Sequence, residues 1–398
     1  MMTIRQTLVH MALTVAIAAG KTSAAKEPQD HAGEQPTSNP EGLEIYLYDN
    51  GQGGSRIPIG PLQPDEPATK SLPLPSLGPD GSEARMTVFD PENDRRPDAS
   101  DQIHESRFSS TLSLGYRRDD LDFNIAGVTG TPNIVSELQW KDIDIAEARL
   151  SFHWHETESW LWFQGSVGFG WILDGRSQDS DYFGSNRTGE FSRSYSNVKG
   201  DGTADFSLAL GYSMTLGGGD HARMRLTPLL GYSRHDQNLR NKDGVQTISE
   251  EVPEWEIEAA PLGPLKGLNS TYKTRWHGPW LGLNAQIPLL RHMRLDAEFG
   301  YHRADFYAQA NWNLRSDLQH PVSFEHEADG SGYHLSLGLQ YQTERNWSVQ
   351  LGLEWQHWET DRGDNTFYFD DLENKVKSRL NETNWDSLAL RLGLDYHF

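Results

Sequence analysis

The sequence lacks three features that would each point to a common class of protein. None of its 398 residues is cysteine, which excludes disulfides and thiolate metal sites. No run of about 18 consecutive apolar residues occurs, which excludes a membrane-spanning helix. Positive charge is also scarce, with 35 Lys and Arg against 57 Asp and Glu. The net charge of −22 argues against nucleic-acid binding, which needs cations facing the phosphates.

Residues 1–25 have the pattern of a secretory signal peptide. Arg5 supplies the positive charge, residues 8–20 are mostly apolar, and residues 23–25 are the small residues Ser-Ala-Ala. The apolar stretch is too short to anchor a protein across a bilayer, so cleavage and export are predicted. A chance hydrophobic terminus is the alternative.

Residues 26–106 differ in composition from the rest of the chain. They hold twelve of the twenty prolines and many Gly and Asp residues. Such a composition cannot bury enough apolar surface to offset chain entropy. We therefore predict an extended or disordered periplasmic segment.

Residues 107–398 carry a repeated alternation of apolar and polar residues. The chain ends in SLALRLGLDYHF, in which every second residue is apolar, from Leu388 to Phe398. A period of two places the apolar and polar residues on opposite faces of a β-strand. Nine similar stretches precede this one. The mean hydropathy of −0.67 does not exclude a membrane, because a transmembrane barrel turns only alternate residues to lipid.

The connections between these ten stretches alternate in length. Turns of a few residues alternate with connections of roughly 15 to 35 residues, as in outer-membrane barrels whose long loops face outward. The polar parity suits a hydrated lumen better than a lipid surface; it includes Arg294, Asp296, Glu298, Gln350 and Glu354. The predicted fold class is all-β, a ten-stranded antiparallel transmembrane β-barrel with short periplasmic turns and long extracellular loops. A β-sandwich with its apolar faces on a shared core is the alternative.

Two segments are distinctive: VSELQWK at residues 135–141 and QDSDY at residues 178–182. Both resemble segments of the omptins, which are ten-stranded outer-membrane endopeptidases. The resemblance implies that Asp179 and Asp181 match the omptin acidic pair in the loop after strand three. It also implies an Asp–His pair across a cleft, with the attacking water held between the two pairs. The loop after strand seven offers Asp317 and His320, three positions apart where omptins have Asp-x-His.

The runs GYRRDDLDFNIAG, TRWHGPWLGL and ANWNLRSD resemble a group named after a Protochlamydia outer membrane protein. Neither resemblance extends to residues 26–106. Glu325 and His326 form a competing acid–histidine pair in the same loop as Asp317. The sequence therefore leaves two hypotheses open: an outer-membrane barrel with a non-enzymatic function on its extracellular loops, or an omptin-like aspartyl endopeptidase.

The predicted partners follow from the predicted location. They are outer-membrane lipid, with lipopolysaccharide as a candidate, and the barrel assembly machinery, which would recognise the last strand ending in Phe398. A polypeptide substrate is implied only by the endopeptidase hypothesis. No cofactor and no metal site are predicted, since no spacing in the acidic loops matches a calcium loop.

Overall fold

A computed structural model describes residues 108–155, 160–217, 224–255, 257–370 and 375–398. The predicted signal peptide and the predicted 26–106 segment lie outside the described residues. In the described ranges, no helix has the length and apolar character needed to cross a membrane.

The described chain is built almost entirely of β-strands, with one short 3-10 helix at Pro253–Trp255. The strands are β1 (Phe108–Ile125), β2 (Ser136–His155), β3 (Leu161–Gly184), β4 (Thr188–Val198), β5 (Gly202–Tyr212), β6 (Met214–Leu216), β7 (Met224–Ser249), β8 (Gly263–Leu265), β9 (Ser270–Leu290), β10 (Met293–Asn311), β11 (Phe324–Gln342), β12 (Trp347–Thr360), β13 (Gly363–Phe367) and β14 (Val376–His397).

These strands form one antiparallel sheet that closes on itself. The order is β1, β2, β3, then β4 and β5 in succession, then β7, β9, β10, β11, β12 and β14. The ring closes because β14 pairs with β1, with Leu394 opposite Leu112 and Leu388 opposite Arg118. The strands β6, β8 and β13 extend the pairing at the ends of longer strands. The predicted ten-stranded barrel is confirmed.

One end of the barrel carries short turns and the other carries long connections, and we call these the turn end and the loop end. Near the turn end, the apolar residues of each strand point outward. Leu112, Leu230 and Leu392 are each about 60% exposed, at 60%, 60% and 62%. The polar parity faces inward, and all five polar residues named from the sequence line a lumenal cavity. The predicted orientation of the two faces is therefore confirmed, and the β-sandwich alternative is wrong.

The polarity of the two faces reverses toward the loop end. Along β1, Leu121, Phe123 and Ile125 point inward and are 0–3% exposed, while Arg118 points outward. A strand that leaves the bilayer meets water on its outer face, so its apolar residues are stabilised inside instead. The loop-end half of the barrel thus has apolar side chains inside and polar side chains outside, as a soluble protein has.

Two groups of buried ion pairs cross the middle of the lumen. In the first, Arg117 contacts Asp205 at 2.8 Å and also binds Asp119 through both carboxylate oxygens. In the second, Arg149 and Arg391 alternate with Glu147 and Glu354, and four of their N–O distances are 3.0 Å. Each of these charges is paired with an opposite charge, which offsets much of the cost of burying it.

An aromatic layer fills the lumen between these ion pairs and the loop end. Trp276, Trp358 and Trp385 are fully buried, with ring centroids 5.7–6.5 Å apart. Trp140 stacks on Tyr272 at 4.9 Å in the same core. Ten strands enclose a narrow interior that side chains can fill. This layer separates the turn-end lumen from the loop-end cleft.

The strands are longer than the alternating pattern predicted, and the connection after strand three differs most. We expected Asp179 and Asp181 in a long loop. Instead, β3 and β4 continue as a paired hairpin with a turn at residues 185–187, and both acids lie in β3. The alternation of outward apolar and inward polar residues marks only the lipid-facing part of a strand. The pattern therefore ends before the strand does. The remaining connections at the loop end are 10 to 20 residues long.

Candidate functional site

The acidic pair lies on the inner face of β3 at the loop end. Because residues two apart share a strand face, Ser177, Asp179 and Asp181 all point inward. Asp181 is 2% exposed and Asp179 is half-buried. Ser136 and Ser192 are hydrogen-bonded to the Asp181 carboxylate. The Oδ1 atom of Asp181 has no hydrogen-bond partner among the described residues.

Burial raises the pKa of both acids. For Asp179, burial is the largest cause of the raised pKa. The negative charge of Asp181 raises it further, and the positive charge of Arg315 lowers it. For Asp181, burial raises the pKa to about 6 against the hydrogen bonds from Ser136 and Ser192. Two carboxylates that share a low-dielectric site cannot ionise independently, so this pair holds a proton more tightly than exposed carboxyl groups do.

The group that faces the acidic pair is Arg315, in the loop between β10 and β11. Arg315 is 4% exposed and holds Asp317 in a two-pronged contact, with Nε 2.7 Å from Oδ1 and Nη2 2.5 Å from Oδ2. Its remaining terminal nitrogen, Nη1, is buried and has no partner among the described residues. Burial tends to raise the Asp317 pKa, but the hydrogen bonds and charge of Arg315 outweigh it, so the pKa is lowered.

The two histidines of this region lie apart from the acidic pair. His320 is exposed, and its Nδ1 is 2.7 Å from the Asn311 Oδ1 atom. His326 is fully buried, and its Nδ1 is 2.9 Å from the Tyr272 hydroxyl. Burial lowers the His326 pKa to about 3, so this imidazole is neutral. Glu325 points to the opposite face of β11, where it accepts a hydrogen bond from Tyr307 at 2.6 Å.

Asp179 and Arg315 line a small cavity at the loop end, with a volume of about 80 Å³. Neither Asp317 nor His320 is among the residues that line it. The other polar lining residues are hydroxyls and amides, and they are Ser177, Ser192, Ser194, Ser196, Asn241, Gln246 and Ser270. One wall is apolar, with Trp312 as its largest side chain. In the described part of the chain, no group of three or more His, Asp or Glu side chains is arranged to hold a metal ion.

Sequence reasoning did not find Arg315 or the serines. A signal for the serines was present, since FSRSYSN places Ser192, Ser194 and Ser196 on one strand face. Arg315 stands two positions before Asp317, which is the spacing of the Asp-x-His pair that we sought. A pattern made only of acids and histidines does not include a guanidinium at that spacing.

Replacing Asp181 with asparagine is expected to stabilise the barrel at pH 8 and to have little effect near pH 4. A carboxyl group whose pKa is raised on folding contributes most below its unfolded value of 3.8, and this stability is lost as the pH rises through about 6. A shift of roughly two pKa units corresponds to about 3 kcal/mol at most. Urea unfolding at both pH values measures it. Asp174→Asn, an exposed acid on the same strand, is the control, and an equal gain at both pH values would contradict the coupling.

The closed ring, its apolar outer face near the turn end and its alternating connection lengths define an outer-membrane β-barrel. A family model described as Protochlamydia outer membrane protein matches residues 111–398. The chain belongs to this family, which places it in the outer membrane. The turn end therefore faces the periplasm and the loop end faces outward. The comparison with curated proteins finds no match.

One solved structure supports the same fold. The outer membrane protease OmpT from Escherichia coli is similar, with a TM-score of 0.58 and 17% identity over 73% of this chain and 96% of that chain. The translocator domain of autotransporter NalP from Neisseria meningitidis has a TM-score of 0.30 and 10% identity, over 75% of this chain and 92% of its own. OprG from Pseudomonas aeruginosa has a TM-score of 0.28 and 11% identity, over 74% and 97%. The omptin-like fold expected from the sequence is confirmed.

Proposed function

We propose that this barrel is a binding protein that captures an extracellular polypeptide in its loop-end cavity without hydrolysing it. The observation that carries the proposal is Arg315, which is buried beside the acidic pair with its Nη1 atom unpartnered among the described residues. An unpaired buried donor costs stability unless a ligand or water accepts its hydrogen bond. A guanidinium that holds Asp317 with two nitrogens and keeps the third unpartnered among the described residues therefore favours a binding role.

The cavity offers complementary groups for a polypeptide. Asp179 attracts a cationic or amide N–H group, and Arg315 donates to a carbonyl or carboxylate oxygen. The serine hydroxyls can both donate and accept. A volume of about 80 Å³ holds one side chain or a short backbone segment rather than a folded ligand.

A guanidinium cannot replace the histidine that an omptin-like mechanism uses. General-base catalysis requires a group that accepts a proton from water near neutral pH, and arginine stays protonated throughout. His320 is exposed and hydrogen-bonded to Asn311 rather than to the acidic pair. Arg315 instead stabilises negative charge, which suits ligand capture.

Endopeptidase activity is the second candidate, and one observation favours it. Both members of the acidic pair have raised pKa values, and burial raises that of Asp181 to about 6. Two carboxyl groups that share a proton can supply both an acid and a base to a bound water. This candidate requires Asp179 and Asp181 to act together without an imidazole, and it would place optimal cleavage near pH 6.

Peptide binding and peptide cleavage, measured on the same folded barrel, test both candidates. We expect a mixed peptide library to be retained but not cut between pH 5 and pH 8. Asp179→Asn and Arg315→Gln are each expected to weaken binding about 10-fold or more, because charge-assisted hydrogen bonds contribute about 1.5–3 kcal/mol. Asp174→Asn, on the same strand but exposed, is the matched control and should bind normally.

Heat-modifiable migration in gels establishes that each variant is folded. Cleavage that disappears in Asp179→Asn while folding persists would establish the endopeptidase instead. Peptide binding that is unchanged in both Asp179→Asn and Arg315→Gln would show that this cavity is not the binding site, which would contradict both candidates. The barrel assembly machinery and lipopolysaccharide remain predicted partners. Phe398, which the assembly machinery is predicted to recognise, packs against Phe108 with ring centroids 5.1 Å apart.

A further inference from the structure

A second cavity occupies the turn-end half of the lumen and has a volume of about 230 Å³. It begins at the periplasmic strand ends, where Ser109, His155 and His397 line it, and reaches inward to Ser233 and His302. The buried ion pairs and the aromatic layer lie between it and the loop-end cavity. A ligand would therefore enter it from the periplasm.

Four side chains in this cavity form a continuous hydrogen-bonded chain. The Ser233 Oγ atom lies 3.0 Å from Nδ1 of His302, and Nε2 of His302 lies 2.8 Å from Nδ1 of His334. Nε2 of His334 lies 3.2 Å from Oε1 of Glu298. Strands β7, β10 and β11 supply these residues, so a rigid sheet holds the chain in place.

The carboxylate at one end fixes the direction of every proton in the chain. Ionised Glu298 can only accept, so His334 carries its proton on Nε2 and leaves Nδ1 as an acceptor. His302 then donates from Nε2, and its Nδ1 accepts from the Ser233 hydroxyl. All neutral groups are satisfied in this arrangement. It has the order serine, imidazole, carboxylate of a nucleophilic triad, lengthened by one imidazole.

Neighbouring side chains hold Glu298 and His302 in place. The second oxygen of Glu298 accepts from Gln164 at 2.9 Å and from Asn284 at 3.2 Å. These donors favour the ionised carboxylate. The His302 ring is packed between two tryptophans, with centroids 5.6 Å from Trp280 and 4.6 Å from Trp358. The base and its orienting acid are therefore fixed before any substrate binds.

Trp280 lies opposite Gly231 in the β7–β9 register, two residues along β7 from the serine. The Trp280 Nε1 atom is buried and has no partner among the described residues. The indole passes so close to Gly231 that a Cβ there would lie 2.3 Å from it, so this position requires glycine. Gly231 and Ser233 share a strand face, so the indole and the hydroxyl lie on the same side of the sheet. A donor at this position can stabilise a developing oxyanion.

We propose that Ser233 is a nucleophile for acyl transfer and that the turn-end lumen hydrolyses small esters reaching it from the periplasm. The Ser233 oxygen forms a bond to the acyl carbon while its proton passes to Nδ1 of His302, and the chain to Glu298 stabilises the resulting charge. The ester C–O bond then breaks, and the alcohol leaves with that proton. Water hydrolyses the acyl-serine by the same route, so ester and water give acid and alcohol.

Covalent labelling by methanesulfonyl fluoride tests the nucleophile directly. Ser233 is 1% exposed, so a small reagent is required. The full chain is folded in detergent micelles for this experiment. We expect Ser233 to displace fluoride from the reagent, so that the protein carries one methanesulfonyl group. Mass spectrometry should map this group to Ser233. Ser233→Ala should abolish labelling. His302→Gln and Glu298→Gln should slow it about 100-fold and about 10-fold, because general-base catalysis contributes 10²–10⁴-fold.

Ser207 provides the matched control, because it lies opposite Ser233 in the β5–β7 register and lines the same cavity. Ser207→Ala should label at the wild-type rate, and hydrolysis of p-nitrophenyl acetate should follow the labelling in every variant. If Ser233→Ala fails to fold, the labelled position in the wild-type protein decides the question. No labelling of the wild-type protein, or labelling at other residues only, would overturn the proposal.

Discussion

Replacing Arg117 with leucine is expected to lower the free energy of unfolding by about 3–5 kcal/mol, because removal of one partner leaves a buried charge uncompensated. Arg117 is 0% exposed and binds both Asp119 and Asp205. Both carboxylates would remain buried beside leucine, and Gln237, which donates to Asp119 at 2.7 Å, cannot neutralise them. Urea unfolding in detergent micelles, followed by tryptophan fluorescence, gives the value.

The neighbouring residue provides the control for this variant. Arg118 has the same side chain but points outward, and it is 51% exposed beside Asp144. Exposed ion pairs contribute little, so Arg118→Leu should change the stability far less than Arg117→Leu. Similar losses in both variants would show that the middle of the lumen is hydrated and that its ion pairs are not buried.

Replacing Leu392 with arginine is expected to cost about 2–4 kcal/mol in lipid vesicles, because a cation on the lipid face of a barrel must be placed in hydrocarbon. Leu392 is 62% exposed in the turn-end half of the last strand and pairs with Leu114 and Leu351 on its two neighbours. The equilibrium between folded and urea-unfolded protein in vesicles measures the cost.

Leu262 is the matched control because it has the same exposure in a different environment. It is 63% exposed in the connection between β7 and β8 at the loop end, where it meets water. Leu262→Arg should leave the stability nearly unchanged, within about 0.5 kcal/mol. Equal costs at the two positions would contradict the assignment of the turn-end half to the bilayer.

The fold could be predicted from the sequence because one physical constraint acts on every strand near the turn end. Lipid on one side and a polar lumen on the other force strict alternation, as in the last strand from Leu388 to Phe398. The constraint ends where the strands leave the bilayer. Leu121 and Phe123 continue the strand β1 but lie on the inner face, so the pattern no longer indicated the same structure. The strand lengths were therefore underestimated.

The candidate site was predicted in part, and the rest depends on contacts between distant segments. Asp179 and Asp181 were found from a local motif, and their burial follows from the unexpected hairpin of β3 and β4. Arg315 could not be found in this way, because its position opposite the acids depends on how the loop between β10 and β11 folds back. The hydrogen-bonded series of side chains from Ser233 to Glu298 joins three strands, and it has no sequence signature.

The aromatic layer has a consequence for the cell that carries this protein. Trp276, Trp358 and Trp385 close the cylinder where a diffusion channel would have to run. A bacterium could therefore insert many copies without opening a diffusion path for small solutes across its outer membrane. A high copy number and a low permeability of the outer membrane oppose each other for an open porin. They are compatible for a barrel whose lumen is closed by its own tryptophans.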